Sequence, residues 1–245
     1  MKAFLLAAGL GTRLRPLTDH TPKCLLPIGG QPLLSIWLSF CSENGIDEVF
    51  INTHHLAEKV RDWAAKENTP VGMHLVHEPE LLGSAGTVLR NWDFVAGEDS
   101  FFIFYADNLV RFDLSEIVSF HQTHSGPLTM ALFETPRPER CGVVQLDSSG
   151  RILEFAEKPL QPKSNLANAG IYIARASLRD YLPHHIPADF GMHVLPELAG
   201  VAYGKRLTGY LRDIGTPEAY ELAQEEWGNL LQHNTRITGT TSGHH

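Results

Sequence analysis

The apolar run Ala3-Phe4-Leu5-Leu6-Ala7-Ala8 passes straight into Gly9-Leu10-Gly11-Thr12-Arg13-Leu14. An apolar stretch this short, ended by glycines, describes a buried strand that stops at a tight turn. Glycine accepts positive φ and lets another group come close to the backbone, so such a turn can aim its N–H groups at an anion. Thr12 adds a hydroxyl and Arg13 and Arg15 add charge; Lys23, ten residues beyond Arg13, can return to the same phosphates. A strand-to-helix turn with solvated arginines accounts for the glycines equally well, since glycine-rich loops are common. The spacing excludes two better-known loops: G-x-G-x-x-G fails at Leu14, and G-x-x-x-x-G-K-[ST] is absent.

Downstream, strand-like and helix-like periods alternate. Helical stretches run from Gln31-Pro32 to about Asn44, from His55 to Lys66 and from Ser84 to Trp92, separated by extended runs at Glu48–Asn52, Val71–Val76 and Ser100–Tyr105. That rhythm predicts an α/β fold, a Rossmann-like, mainly parallel sheet with helices on both faces. The second half turns β-rich, with runs at Leu128–Phe133, Gly142–Leu146, Ile152–Ala156 and Ala169–Ala174 and a turn at Asp147-Ser148-Ser149-Gly150. Helices are expected near Arg175–Tyr181 and His193–Leu198, a last short strand over Arg206–Leu211 and a closing helix from Pro217 to Trp227. No repeat or linker divides the chain, so residues 1–230 read as one domain, with halves at about 1–125 and 126–230 and a tail over 231–245. The end of that tail, Gly239-Thr240-Thr241-Ser242-Gly243-His244-His245, has the composition of a linker and tag remnant.

Composition narrows the class. A formal net charge of −8 argues against a nucleic-acid-binding face, although a small basic pocket fits within it. No run approaches the roughly 20 apolar residues of a membrane helix. The apolar start is also too short for a signal peptide. Cys24, Cys41 and Cys141 are far apart and lack metal-ligand spacing, as expected of thiols in a reducing cytoplasm. The pair His121 and His124 has no third ligand in sequence range and reads as structural.

The run Leu6-Ala7-Ala8-Gly9-Leu10-Gly11-Thr12-Arg13-Leu14-Arg15-Pro16-Leu17-Thr18, followed by Pro22-Lys23-Cys24-Leu25-Leu26-Pro27, resembles the signature of the sugar-phosphate nucleotidylyltransferases, also called sugar-nucleotide pyrophosphorylases. Further segments resemble that family in the same order along residues 1–227. Glu78-Pro79-Glu80-Leu81-Leu82-Gly83-Ser84-Ala85-Gly86-Thr87 is similar to its base-recognition loop, with Ser84 equally suited to cap a helix. Tyr105-Ala106-Asp107-Asn108 resembles G-D-N with alanine for the glycine, and Cys141-Gly142-Val143-Val144 resembles Y-G-V-V with cysteine for the aromatic residue. Phe155-Ala156-Glu157-Lys158-Pro159, Asn168-Ala169-Gly170-Ile171-Tyr172 and Asp213-Ile214-Gly215-Thr216-Pro217 complete the set. Taken singly, Asp107 could be a turn residue, Glu157 and Lys158 a surface ion pair, and Asp213 a helix cap.

The resemblance implies transfer of a nucleoside monophosphate from a nucleoside triphosphate to a sugar 1-phosphate, with release of pyrophosphate. It assigns the nucleotide to Leu6, Ala8, Gly9, Gly11, Thr12, Arg13, Lys23, Glu78, Gly83, Ser84 and Ala85, and the sugar to Asn108, Gly142, Glu157, Lys158 and Asn168. Arg13, Lys23, Asp107, Lys158 and Asp213 are the expected catalytic set, with Asp107 and Asp213 the ligands of Mg²⁺. The Glu78 loop is most like guanylyl-transferring members, which points to GTP with mannose or manno-heptose 1-phosphate. Uridylyl or thymidylyl transfer to a hexose or amino-sugar phosphate is the alternative. Transfer to phosphocholine and a non-catalytic sugar-nucleotide-binding regulator are further ones. The chain length leaves no room for the left-handed β-helix of larger relatives, and the expected location is the cytoplasm.

Overall fold

The structure, a computed structural model, describes residues 1–238, with side chains described as far as residue 230. The tag-like Gly239–His245 segment lies outside the described residues. In chain order the strands are β1 (Lys2–Leu6), β2 (Pro27–Ile28), β3 (Gln31–Pro32), β4 (Glu48–Thr53), β5 (Gly72–His77), β6 (Ser100–Tyr105) and β7 (Asn108–Phe112). They continue with β8 (Leu128–Glu134), β9 (Gly142–Leu146), β10 (Ile152–Glu157), β11 (Leu166–Arg175), β12 (Tyr203–Arg206) and β13 (Gly209–Asp213). The helices are α1 (Leu17–His20), α2 (Leu33–Glu43), α3 (Ala57–Ala64), α4 (Ser84–Arg90), α5 (Ser115–Gln122) and α6 (Pro217–Thr238).

One nine-stranded sheet carries the order β10-β9-β11-β6-β1-β4-β5, with β8 against β11 and β12 against β8. From β6 through β1 and β4 to β5 every pairing is parallel, as the alternation of the first half predicts. The β-rich second half joins antiparallel, β11 running against β6, β8 and β9. Strand residues alternate between two cores. Ala3, Leu5, Phe102 and Phe104 face the α2 side with Leu34 and Trp37, whereas Phe4, Phe101 and Ile103 face Val88, Phe190 and Val194. Both faces are covered, which is why β1 and β6 are almost uniformly apolar rather than alternating. The carboxyl ends of β1, β4 and β6 open together at one edge of the sheet, the usual place for a ligand in such folds.

Four expectations are corrected. Gln31-Pro32 does not open the helix: it pairs with Pro27-Ile28 as a small hairpin, and α2 begins at Leu33. The single strand expected over Arg206–Leu211 is two, β12 on the main sheet and β13 on a separate ribbon with β7, because the chain changes sheets at Leu207–Thr208. Arg175–Tyr181 tightens into a 3-10 segment over Ala176–Tyr181. The His193–Leu198 helix is instead a π-type turn, Phe190–Val194, with the Leu195 N–H donating to the Phe190 carbonyl at 2.8 Å. Pro196, which has no N–H to donate, stands where an α-helical ladder would have to continue.

His121 is buried on the inner face of α5, and half-buried His124 follows just past the helix end. His121 Nδ1 lies 2.6 Å and His124 Nε2 lies 2.9 Å from the Thr129 hydroxyl, and His124 stacks on Tyr203 with ring centroids 3.8 Å apart. Burial, with the Arg175 guanidinium beside them, lowers the His121 pKa to about 3 and that of His124 to about 4. Unfolded histidine titrates near 6.5. Between those values the unfolded chain binds more protons, so stability rises with pH there and is lost on acidification. Denaturant midpoints should therefore fall steadily from about pH 6.5 to pH 4.5, above the range where carboxylates dominate. A His121→Gln, His124→Gln double variant should flatten that slope, and an unchanged slope would contradict the assignment.

Candidate active site

Asp107 and Asp213, 106 positions apart in sequence, meet through the ribbon. Strand β7 follows Asp107 immediately, and its antiparallel register sets Asp213 opposite Asn108. Trp37, buried in the α2 core, donates from Nε1 to the Asn108 carbonyl at 2.9 Å and so fixes the start of that ribbon. Lys23 is the third member. Its ammonium lies 2.8 Å from Asp107 Oδ2 and 3.6 Å from Asp213 Oδ1, with the lysine only 6% exposed against 44% and 60% for the two aspartates. The turn that delivers Lys23 is tight. Gly11 has φ +63°, and a Cβ there would sit 2.8 Å from the Thr18 methyl and 3.3 Å from the Lys23 Cβ. The Thr18 hydroxyl closes it by donating to the Gly11 carbonyl at 2.8 Å.

Arg13 is exposed and reaches the same place. A Cβ on Gly215 would lie 2.9 Å from Arg13 Nη2 and 2.8 Å from Asp213 Oδ1, so guanidinium and carboxylate both overhang that glycine. Among the described residues no three His, Cys, Asp or Glu side chains form a closed metal site. Asp107 and Asp213 nevertheless offer two convergent carboxylates, one half-exposed and one exposed. A hard cation held by them would fill its remaining positions from substrate oxygens and water, which is how Mg²⁺ is usually held.

On the carboxyl ends of β1 and β4 lies a cavity of about 470 Å³, lined by Leu6, Ala8, Gly9, Glu78, Gly83 and Ser84 among others. Glu78 is buried, and its carboxylate is largely committed to the protein. Oε1 accepts from Asn52 Nδ2 at 3.0 Å and from the Thr87 hydroxyl at 2.6 Å, and Oε2 accepts from the Leu82 N–H at 3.3 Å. Asn52 Oδ1 in turn accepts from the Ala7 N–H at 2.7 Å, tying the glycine-rich turn to the Glu78 loop. Ala85, expected at the nucleotide, is buried and spends its N–H on the Ala188 carbonyl. Thr12 is exposed and does not line this cavity.

A second cavity of about 630 Å³ holds every residue expected at the sugar: Asn108, Gly142, Glu157, Lys158 and Asn168. Gly142 and Gly191 bracket the Glu157 carboxylate, since a Cβ on either would stand 2.7 or 2.8 Å from Oε2. Lys158 takes left-handed backbone, φ 47°, an uncommon state for a side chain of this size and one that clusters at binding sites. Its ammonium is 3.5 Å from Glu157 Oε1. Asn168 is less free than expected: its Nδ2 donates to the Tyr172 hydroxyl at 2.7 Å and its Oδ1 accepts from the Gly170 N–H at 2.9 Å, shaping the bulge in β11.

The two cavities share Tyr105, Asp107 and Asp189 as a common wall. Sequence reasoning missed Tyr105, Asn52 and Asp189. Asn52 had a signal, a lone amide at the end of an apolar strand beside the glycine-rich turn. Tyr105 had a weaker one, its place beside Asp107, and Asp189 had none. Burial raises the Tyr105 pKa to about 12, so its hydroxyl stays a donor, to Ser84 Oγ at 3.2 Å.

The sequence model of the nucleotidyl transferase family matches residues 2–229. The chain is similar to the catalytic subunit beta of mannose-1-phosphate guanylyltransferase from Drosophila melanogaster, 34% identical over 224 residues, covering 89% of this chain and 60% of that protein. It is similar to a UTP–glucose-1-phosphate uridylyltransferase from Synechocystis, 32% identical over 214 residues, covering 81% and 55%. A candidate glucose-1-phosphate thymidylyltransferase from Bacillus anthracis, crystallised with sucrose, superposes with a TM-score of 0.80 at 27% identity over 92% of this chain and 94% of that one. The chain spans about 60% of the length of the Drosophila relative.

Gly83 is the stress point of the first cavity. It has φ +76°, and a Cβ there would lie 2.4 Å from the Ala188 carbonyl oxygen. Gly83→Ala should cost at least about 2 kcal/mol in denaturant unfolding and loosen the Glu78 loop. A variant as stable as the parent would contradict this clamp.

Proposed function

The chain belongs to the nucleotidyl transferase family, and from that premise we propose that it transfers a nucleoside monophosphate from a nucleoside triphosphate to a sugar 1-phosphate, releasing pyrophosphate. The observation that carries this reading is the shared wall. A nucleotide in the first cavity and a phosphosugar in the second would present their phosphates to each other at Asp107, with Lys23, Asp213 and Arg13 alongside. Reaction would occur by attack of a sugar phosphate oxygen on the α-phosphorus, with the pyrophosphate oxygen leaving. Such a transfer needs little covalent help from the protein; positioning and charge neutralisation dominate.

Each residue then has a task. Glu157 accepts hydrogen bonds from the sugar hydroxyls, in space that Gly142 and Gly191 leave open. Lys158, with its head mostly exposed, orients the attacking phosphate. Arg13 and Lys23 stabilise the triphosphate and the departing pyrophosphate. Glu78 serves chiefly by holding the base loop through Asn52 and Thr87. A divalent cation held by Asp107 and Asp213, Mg²⁺ by their hard oxygen chemistry, would supply charge neutralisation to the reacting phosphates. Residues 1–230 act as one unit with a nucleotide half and a sugar half, because strands β6 and β11 pair directly.

GTP with mannose 1-phosphate or manno-heptose 1-phosphate is our first choice, supported by the Drosophila relative and by the Glu78 loop. The Synechocystis relative supports uridylyl transfer to a hexose phosphate as the second reading. No helix among the described residues is long and apolar enough to cross a membrane; we place the enzyme with its nucleotide substrates in the cytoplasm.

The test is pyrophosphate release, with Mg²⁺, from four nucleoside triphosphates against a panel of sugar 1-phosphates and phosphocholine. GTP with a manno-configured phosphate should turn over fastest. Lys23→Ala and Asp107→Asn should each lose on the order of 100-fold or more in kcat while remaining folded. Near-parental rates in either variant would overturn the residue roles. Sugar-nucleotide binding without turnover by any pair would favour a regulator.

A further inference from the structure

Asp189 belongs to no motif, yet it stands in the wall common to both cavities beside Asp107 and Tyr105. Its position is held from several directions. Oδ1 accepts from the Ser84 N–H and from the Ser84 hydroxyl, both at 3.2 Å, so it caps the start of α4 from outside the helix. The Ser84 hydroxyl accepts from Tyr105 at 3.2 Å and from the Phe190 N–H at 2.9 Å, which leaves its one proton for Asp189. The neighbouring Ala188 is bound on both sides, its carbonyl accepting from Ala85 and Gly86 and its N–H donating to Leu82. The backbone N–H of Asp189 donates to His193 Nδ1 at 3.0 Å. The residue is exposed toward the cavities, and no lysine or arginine among the described residues pairs with it.

A fixed carboxylate without a cation repels a polyphosphate and attracts hydroxyl groups. Its partner Ser84 lies on the nucleotide's own loop, while the acceptor sugar already has Glu157 in the other cavity. With the base against the Glu78 loop and the phosphates at Asp107, the ribose is the part of the nucleotide that lies between them. We propose that Asp189 is a specificity-determining residue whose outward oxygen accepts a hydrogen bond from a ribose hydroxyl of the bound nucleoside triphosphate. This rests on the transfer reading above but concerns nucleotide binding alone.

Calorimetric binding with Mg²⁺ and no acceptor tests it, using GTP and UTP with their 2′-deoxy and 3′-deoxy forms. Asp189→Asn keeps an oxygen for Ser84 and places an amide where the free oxygen was. The better-held ribonucleotide should bind this variant about tenfold more weakly, as the loss of a hydrogen bond to a charged group implies. The deoxy form lacking the recognised hydroxyl should bind the parent protein about tenfold more weakly too, and should be indifferent to the substitution. Equal losses for ribo and deoxy forms, or ribonucleotide affinity within twofold of the parent, would overturn the proposal. So would unchanged nucleotide binding together with a deficit seen only in a separate titration of the sugar 1-phosphate. Should Asp189→Asn unfold at the assay temperature, the parent alone decides: equal affinity for the ribo and both deoxy forms refutes the assignment. A parent protein that binds neither GTP nor UTP sinks the first-choice and second-choice nucleotides themselves, whereas intact binding untouched by the substitution sinks only the role of Asp189.

Discussion

The buried ammonium of Lys23 is the constraint around which the site is arranged. Taking an ammonium out of water without a partner costs several kcal/mol, so a lysine this secluded needs carboxylates beside it. Asp107, from the middle of the chain, and Asp213, from near its C-terminus, meet it at 2.8 and 3.6 Å. Everything needed to bring them there is visible in the fold. The Gly11 turn and the Thr18 hydroxyl deliver Lys23, the Trp37 indole anchors Asn108, and the β7–β13 ribbon carries Asp213 back across.

From that centre the two cavities follow. The parallel half of the sheet ends in the glycine-rich turn and the Glu78 loop, joined by Asn52. The antiparallel half ends in Glu157, Lys158 and the bulged Asn168 strand. The thiol in the wall of the second cavity, Cys141, is held above its ordinary pKa by burial, and the proposed chemistry asks for no covalent nucleophile. Rigid donors and acceptors, set before substrate arrives, are what a reaction governed by positioning requires. The left-handed Lys158 and the three-donor shell around Glu78 both belong to that rigidity.

Local patterns made much of this readable. The apolar runs at β1 and β6 announced a sheet buried on both faces, and the ordered segments around Gly9, Asp107, Glu157 and Asp213 pointed to the residues that line or flank the cavities. Long-range pairing was not readable in the same way. The short β7 and β13 strands carry half-polar sequences with no strong period, and their partnership depends on a register that only the folded chain reveals. Asp189 lay between two segments expected as helices, in a stretch with no assignment of its own, and its importance comes from Ser84, far away in sequence. Asn168 and Glu78 were expected to serve ligands; the fold uses much of their hydrogen-bonding capacity for itself.

The central claim is that Asp107 and Asp213 act as one unit. Manganese binding in the presence of nucleoside triphosphate, followed by electron paramagnetic resonance, measures it directly in the parent protein, Asp107→Asn, Asp213→Asn and the double variant. The account predicts that either single substitution removes nearly as much cation affinity as both together, the non-additivity of two ligands to one ion. Losses that simply add, or a single variant that binds as the parent does, would contradict it.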